Sequence, residues 1–281
     1  MDVRSNERLR GVVVRLLLIG DIVGKPGREI TCAAVKPLKK HRNIDLVVAN
    51  AENAAGGSGI TVEIYKELIE AGVDAITLGD HIYRRREIFT ILESKENIVK
   101  PANYPTQAPG REFVVVDGSD GNKVGIISLL GRVFVKPVDC PFAAVDRVLE
   151  KIPDDVKVVL VDMHAEATGE KQLMGRHLDG RVSAVLGTHT HVATADSQIF
   201  PFGTAFQCDV GMTGPHESII GRRIDRVLAT TITFRPEYYD VASGGNRING
   251  AIVDVDAATG KAVAIERLSL GLQEVLELES G

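Results

Sequence analysis

The chain has 281 residues, of which 44% are hydrophobic and 25% charged, with a formal net charge of -5. Such a chain is long enough to bury a large core without disulfide or metal staples. Its acidic balance excludes the basic footprint expected of a duplex-binding protein, but small phosphorylated ligands stay open, because bound metal ions can supply positive charge locally.

Residues 1–10 are polar and charged and read as a short flexible leader. Residues 12–19 form a strand-like apolar run. Arg15 breaks it, it is too short to cross a bilayer, and no small-residue cleavage site follows it. Helical spacing follows over 26–40. The same alternation then repeats: a strand over 44–49 and a helix over 61–71, then a strand over 74–78 and a helix over 84–93. Short apolar runs alternating with amphipathic stretches predict βαβ units and a mostly parallel sheet. Three prolines over 101–110 mark a long connection. Residues 112–116 and 123–130 read as paired strands around a Gly-rich turn. A helix over 142–151, a fully apolar strand over 156–163, a helix over 170–177 and a strand over 182–186 continue the alternation. Strands are expected to dominate thereafter, at 198–200, 204–208, 228–234, 251–255 and 262–268, with a helix over 217–226. No linker divides the chain, so 11–275 reads as one domain and 276–281 as a tail. Cys32, Cys140 and Cys208 are odd in number and far apart. They read as small apolar residues in a reducing compartment, so a cytoplasmic protein with no membrane segment is expected.

Ligands of α/β sheets gather at the carboxyl ends of the strands. Five apolar runs end in reactive groups: Asp21, Glu52 with Asn53, Asp80 with His81, His164, and the pair His189 and His191. Carboxylates and imidazoles are ligands for divalent metals, and two metals held by a shared carboxylate can act on a phosphate. Each group alone has an ordinary reading as a helix cap, turn residue or core histidine. Recurrence at five successive strand ends favours a metal site. His189 and His191 flank one residue, so on an extended segment both imidazoles would face one pocket. G-x-G-x-x-G, P-loop and G-x-S-x-G motifs are absent. The run Arg84-Arg85-Arg86 reads as a solvated helix face.

The ordered segments Gly20-Asp21-Ile22-Val23-Gly24, Ala49-Asn50-Ala51-Glu52-Asn53, Gly79-Asp80-His81, Asp162-Met163-His164-Ala165-Glu166, Gly187-Thr188-His189-Thr190-His191 and Asp209-Val210-Gly211-Met212-Thr213-Gly214 closely resemble the bacterial YmdB-like branch of the calcineurin-like metallophosphoesterases. The likeness covers nearly all of the chain after the leader. It implies a two-sheet αββα sandwich of mixed sheets flanked by helices, and a phosphodiesterase of small substrates such as cyclic nucleotides, acting through a metal-bridging hydroxide. It also implies two divalent ions, with Fe, Mn or Zn expected. Asp21, Glu52 and His191 would hold one, with Asn53 nearby. Glu52 would bridge to the second, held also by Asp80, His164 and His189. His81 would be the acid toward the leaving oxygen, and Asn53 and Thr213 would serve the substrate side or support the ligands. A small phosphodiester is then the expected partner, and a homo-oligomer is compatible with the likeness. One position departs from the branch, where Asp80 stands in place of the usual Asn. The added charge is expected to tighten metal binding and weaken Lewis acidity. A metal- or cyclic-nucleotide-binding signalling protein without turnover, and a metal-dependent amide hydrolase, would use the same ligand types.

Overall fold

The computed structural model describes residues 13–280 apart from 96, 119 and 120. The expected leader lies outside the described residues. The chain opens with β1 (Val13–Ile19), α1 (Gly24–Arg42), β2 (Leu46–Asn50), α2 (Val62–Glu70), β3 (Ala75–Thr77), α3 (Ile88–Ser94) and β4 (Ile98–Val99). It continues with β5 (Phe113–Asp117), β6 (Lys123–Leu130), α4 (Pro141–Leu149), β7 (Val158–His164), α5 (Thr168–His177) and β8 (Ala184–Thr188). The last part holds β9 (Gln198–Ile199), β10 (Ala205–Gln207), β11 (Gly214–Pro215), α6 (Ile224–Thr233), β12 (Asn246–Asp256), β13 (Ala262–Gly271) and α7 (Leu272–Ser280).

Two mixed sheets result. The first runs β11-β12-β1-β2-β3-β4, with β13 paired to β12; the second runs β5-β6-β7-β8-β10-β9. The centre of each is parallel: β1-β2-β3-β4 in one and β6-β7-β8-β10 in the other. Antiparallel partners close the edges, β12 on β1 and β5 on β6. Strand alternation sorts the side chains. Leu16, Leu18 and Val48 of the first sheet pack against Ile126, Leu160 and Leu186 of the second, forming the core between the sheets. The opposite faces carry helices. Leu17 and Val47 meet Ile30 and Leu38 of α1, and Val159 and Val161 meet Val145 of α4 and Met174 of α5. The layers are therefore helix, sheet, sheet, helix, as expected. α2 starts where the Thr61 hydroxyl accepts the Ile64 N–H at 3.2 Å. α1 ends at Asn43 in the left-handed region.

Three segments differ from expectation. Of the strand expected over 228–234, residues 228–233 are helical within α6 and Phe234 caps it in the left-handed region, although Thr230, Thr231, Ile232 and Thr233 favour strands. None of the ten residues of α6 is buried, so no core face imposes a helical pattern on the sequence. Residues 217–226 are largely a loop. There Ile219 bridges Arg222, and the Arg222 guanidinium donates to the carbonyls of Gly56, Gly57 and Tyr239. A boundary at 275 would cut through α7, whose Val275 is fully buried and whose Leu278 packs on the same core. The three cysteines are unpaired. Among the described residues, no helix is long and apolar enough to cross a membrane.

If α7 belongs to the folded unit, Val275→Ala lowers unfolding free energy by about 1–3 kcal/mol. Urea denaturation would read this as a lower midpoint at unchanged slope. A midpoint equal to that of the unmodified chain would exclude α7 from the cooperative core.

Candidate metal centre

Parallel register brings the reactive strand ends level. Asn50 at the end of β2 lies beside Thr77 at the end of β3, and His164 at the end of β7 lies beside Thr188 at the end of β8. The two sheets meet face to face, so their carboxyl ends open onto one site. Asp21 follows β1, Glu52 follows β2 and Asp80 follows β3. Asp21 and His164 are fully buried, and Glu52 is 1% exposed. Gly79 makes room for the meeting. A Cβ there would overlap both the His164 ring and the Glu52 carboxylate.

Four of the expected ligands form one group: Glu52, Asp80, His164 and His189. His164 Nε2 lies 3.1 Å from Glu52 Oε1, 3.4 Å from Asp80 Oδ1 and 3.0 Å from His189 Nδ1. His189 Nδ1 is also 3.5 Å from Asp80 Oδ1. An ion with bonds of about 2.0–2.2 Å spaces its ligand atoms about 3.0–3.5 Å apart, so these separations are those of a coordination shell. The protons point the same way. His189 Nε2 lies 3.3 Å from Glu166 Oε2; a proton shared with that carboxylate leaves Nδ1 as a lone pair facing the group. Asp80 Oδ1 and Asp21 Oδ1 are buried without a hydrogen-bond partner. Orphaned carboxylate oxygens are costly, and a divalent cation satisfies both. The donor set, two nitrogens with carboxylate oxygens, suits Mn, Fe or Zn.

The remaining expected residues surround this group. His191 Nε2 is 3.9 Å from Asp21 Oδ1, and His191 Nδ1 lies 3.0 Å from the Ile220 carbonyl. That carbonyl can only accept, so Nδ1 carries the proton and Nε2 the lone pair. The Asn53 amide nitrogen sits 3.3 Å from both His191 Nε2 and Glu52 Oε1, and Asn53 Oδ1 accepts from His81 Nδ1 at 2.8 Å. The His81 backbone N–H donates to Glu52 Oε2 at 2.8 Å. Thr213 is fully buried, and its hydroxyl is bonded to the Asn249 backbone. Its own N–H donates to the Asp21 carbonyl at 2.8 Å. Thr213 thus stands behind Asp21 and braces its backbone.

The His189 segment is not extended. His189 has φ 94° and His191 φ 67°, left-handed values that non-glycine residues seldom adopt. Three bonds hold it there. Asp21 Oδ2 accepts the His189 N–H at 2.9 Å, Asp209 Oδ2 accepts the Thr190 N–H at 3.0 Å, and the Met212 N–H donates to the His191 carbonyl at 3.2 Å. The two imidazoles reach one site through this curl rather than through strand alternation. Asp209 is itself paired with Lys171 of α5 at 2.6 Å, both 1% exposed. Sequence reasoning gave no role to Glu166, Asp209 or Lys171. Glu166 and Asp209 lie inside the recurrent segments, but only tertiary structure pairs them.

Burial alone would depress the His164 pKa. The Glu52, Asp80 and Asp21 carboxylates around the ring outweigh it and raise the pKa well above the usual imidazole value. Burial likewise disfavours ionised Glu52, but the His164 charge holds its carboxyl below the ordinary range. Asp80 is opposed by burial too, and the adjacent His164 and His189 imidazoles hold its carboxyl far down. A metal held at His164 Nε2 would have to displace a proton from it. Apparent affinity is therefore expected to rise with pH and to be lost as pH falls through the raised His164 value. Titration with Mn²⁺ from about pH 6 to about pH 8 checks this, with about one proton released per ion. Affinity independent of pH over that range would contradict it.

Comparison with known proteins follows the same lines. The model of the family described as YmdB-like protein matches residues 17–268. The chain is 42% identical over 255 residues to the 2',3'-cyclic-nucleotide 2'-phosphodiesterase of Bacillus subtilis strain 168, covering 91% of this chain and 96% of that one. It is 32% identical over 271 residues to a putative phosphatase/phosphodiesterase of Mycoplasma genitalium, covering 93% and 94%. Among solved structures, a hypothetical protein from Thermus thermophilus matches with a TM-score of 0.86 and 41% identity, over 92% of this chain and 99% of that one. A phosphatase from Mycoplasma pneumoniae also matches with a TM-score of 0.86, at 32% identity, over 93% and 94%. With nearly the whole chain matched in sequence and in structure, the protein belongs to the YmdB-like family.

Proposed function

We propose that the protein is a dinuclear-metal phosphodiesterase acting on 2',3'-cyclic nucleotides and similar small phosphodiesters. The observation that carries this reading is the convergence of Glu52 Oε1, Asp80 Oδ1, His164 Nε2 and His189 Nδ1, with Glu52 and His164 buried and Asp80 and His189 partly open to solvent. These four residues would hold one ion, and Asp21, Glu52 and His191, with Asn53 beside them, would hold the other. Two divalent ions in such a site supply a nucleophile at neutral pH and neutralise charge on the phosphoryl oxygens. The name of the Bacillus subtilis relative suggests the 2',3'-cyclic class and attack that opens the 2' ester.

The chain's own groups account for the remaining needs. His81 is 27% exposed at its side chain, and Asn53 Oδ1 holds its Nδ1. Its Nε2, 3.6 Å from Asp80 Oδ2, would hand a proton to the leaving oxygen. A cavity of about 500 Å³ opens beside His191, lined by Val192, Met212, His216, Ile220 and Arg247 among others. Its apolar wall suits a base, and Arg247 brings a cation to the same space. A volume of that order is usual for small-ligand sites.

Assay of 2',3'-cyclic AMP with added Mn²⁺ is expected to give the 3'-monophosphate, and chelation or His191→Ala is expected to abolish turnover. Turnover that survives the chelator would refute a metal-dependent reaction. In the same assay His81→Ala should lower kcat by roughly 10²–10⁴-fold. The loss should be far smaller on bis(p-nitrophenyl) phosphate, whose leaving group needs no proton; equal losses on both would remove His81 from the acid role.

Asp80 adds a carboxylate where the branch resemblance implies an amide. Asp80→Asn is expected to weaken metal retention and raise kcat at saturating metal, because the ion's charge is less fully neutralised. Unchanged retention with unchanged kcat would show that the substitution is neutral.

A further inference from the structure

We propose that Asp162 is a positioning residue that decides which nitrogen of His164 carries the proton, and so keeps Nε2 open to a metal. The proposal rests on His164 being a metal ligand. Asp162 lies on β7, fully buried, and reaches the ligand group only through other side chains. Its Oδ1 accepts the Thr188 hydroxyl at 2.6 Å. Its Oδ2 accepts the Thr77 hydroxyl at 2.5 Å and the Asn50 amide at 3.0 Å.

The proton count follows from this arrangement. Burial pushes the Asp162 carboxyl up, but a carboxyl proton would sit on Oδ2 toward Thr77; Oδ1 accepts in either state, so Thr188 spends its single hydroxyl proton on Asp162. What Thr188 offers to His164 Nδ1, 2.8 Å away, is a lone pair. His164 must then carry a proton on Nδ1, and Nε2 is left to face Glu52, Asp80 and His189. Asn50 cannot reverse its part. Its Oδ1 accepts the Glu52 N–H at 3.2 Å, which turns its NH₂ toward Asp162. One carboxylate thereby orients His164 through Thr188 and the backbone of Glu52 through Asn50. Asn50 Nδ2 also lies 3.3 Å from His164 Nδ1, but the shorter Thr188 contact sets the proton.

The isosteric variant makes the sharpest test. In Asp162→Asn the new amide oxygen must face the Asn50 NH₂ and Thr77, because two amide nitrogens cannot bond each other. The new NH₂ then faces Thr188 and donates to it. Thr188 turns its own proton to His164 Nδ1, which forces the imidazole proton onto Nε2, in the path of the metal. Asp162→Ala leaves Thr188 free to keep accepting from Nδ1. The better-fitting substitution is therefore the more harmful one for metal binding, the reverse of what a packing role would give.

Apparent Mn²⁺ and Zn²⁺ affinities would be measured by chelator competition on the full chain, with urea stability of each metal-free variant as the folding control. Asp162→Asn is expected to weaken binding roughly 10–100-fold, Asp162→Ala less, and Thr188→Ser not at all. Zinc-loaded wild type should show a slowly exchanging proton on His164 Nδ1 by ¹H–¹⁵N NMR. The proposal is overturned if Asp162→Asn binds metal like wild type, if the alanine variant binds more weakly than the asparagine variant, or if zinc-loaded His164 carries no Nδ1 proton. Wild type that binds no metal at all would remove the ligand role of His164 as well, which separates that failure from one confined to Asp162.

Discussion

Three carboxylates, Asp21, Glu52 and Asp80, are drawn together at the seam of two sheets, and the rest of the site is arranged around that unfavourable fact. Among the described residues, the ion pairs within reach of these acids are all with histidines. No lysine or arginine is among them. The raised pKa of His164 is the metal-free protein's partial remedy, a proton placed where more positive charge is needed. A buried polar oxygen without a partner is costly, and Asp21 Oδ1 and Asp80 Oδ1 are two such atoms, which favours a ligand that compensates them. A divalent cation would do so, and its binding energy would then also be folding energy at these strand ends.

The fold serves this meeting in a direct way. Parallel strands all deliver their carboxyl ends to one edge, and two such sheets packed face to face deliver two edges to one place. Chain ends alone do not give precision. That comes from the layer behind: Glu166 on His189, Thr188 and Asp162 on His164, Ile220 on His191, Thr213 on the backbone of Asp21. The Lys171–Asp209 pair is the costliest of these supports, because both ions are buried. It holds Thr190, and with it the left-handed curl that aims His189 and His191. Removing one partner would strand the other charge, a loss of about 3–5 kcal/mol, and would release the segment that carries both imidazoles.

Much of this was legible in the sequence, for identifiable reasons. Apolar runs closed by polar residues, with glycine after those of β1, β3 and β8, marked β1, β2, β3, β7 and β8, and buried strands carry a strong pattern. Ligands at strand ends were legible for the same reason, since their position along the chain fixes their position in the sheet. The helix α6 was not legible. Its residues pack against no core, so β-branched propensity was the only local signal, and it pointed the wrong way. The curl at His189 and His191 was hidden because backbone handedness there is imposed by Asp21 and Asp209, distant in sequence. Asp162 was visible only as the polar end of a buried strand, and its link to His164 passes through a threonine on the neighbouring strand.

The central claim is that these residues form a site for two ions sharing Glu52. Anomalous diffraction from crystals grown with Mn²⁺ tests it most directly. Two peaks are predicted. One should be bonded to Glu52, Asp80, His164 through Nε2 and His189 through Nδ1. The other should lie among Asp21, Glu52 and His191. A single peak away from Glu52, or His189 bound through Nε2 with Glu166 displaced, would contradict the account.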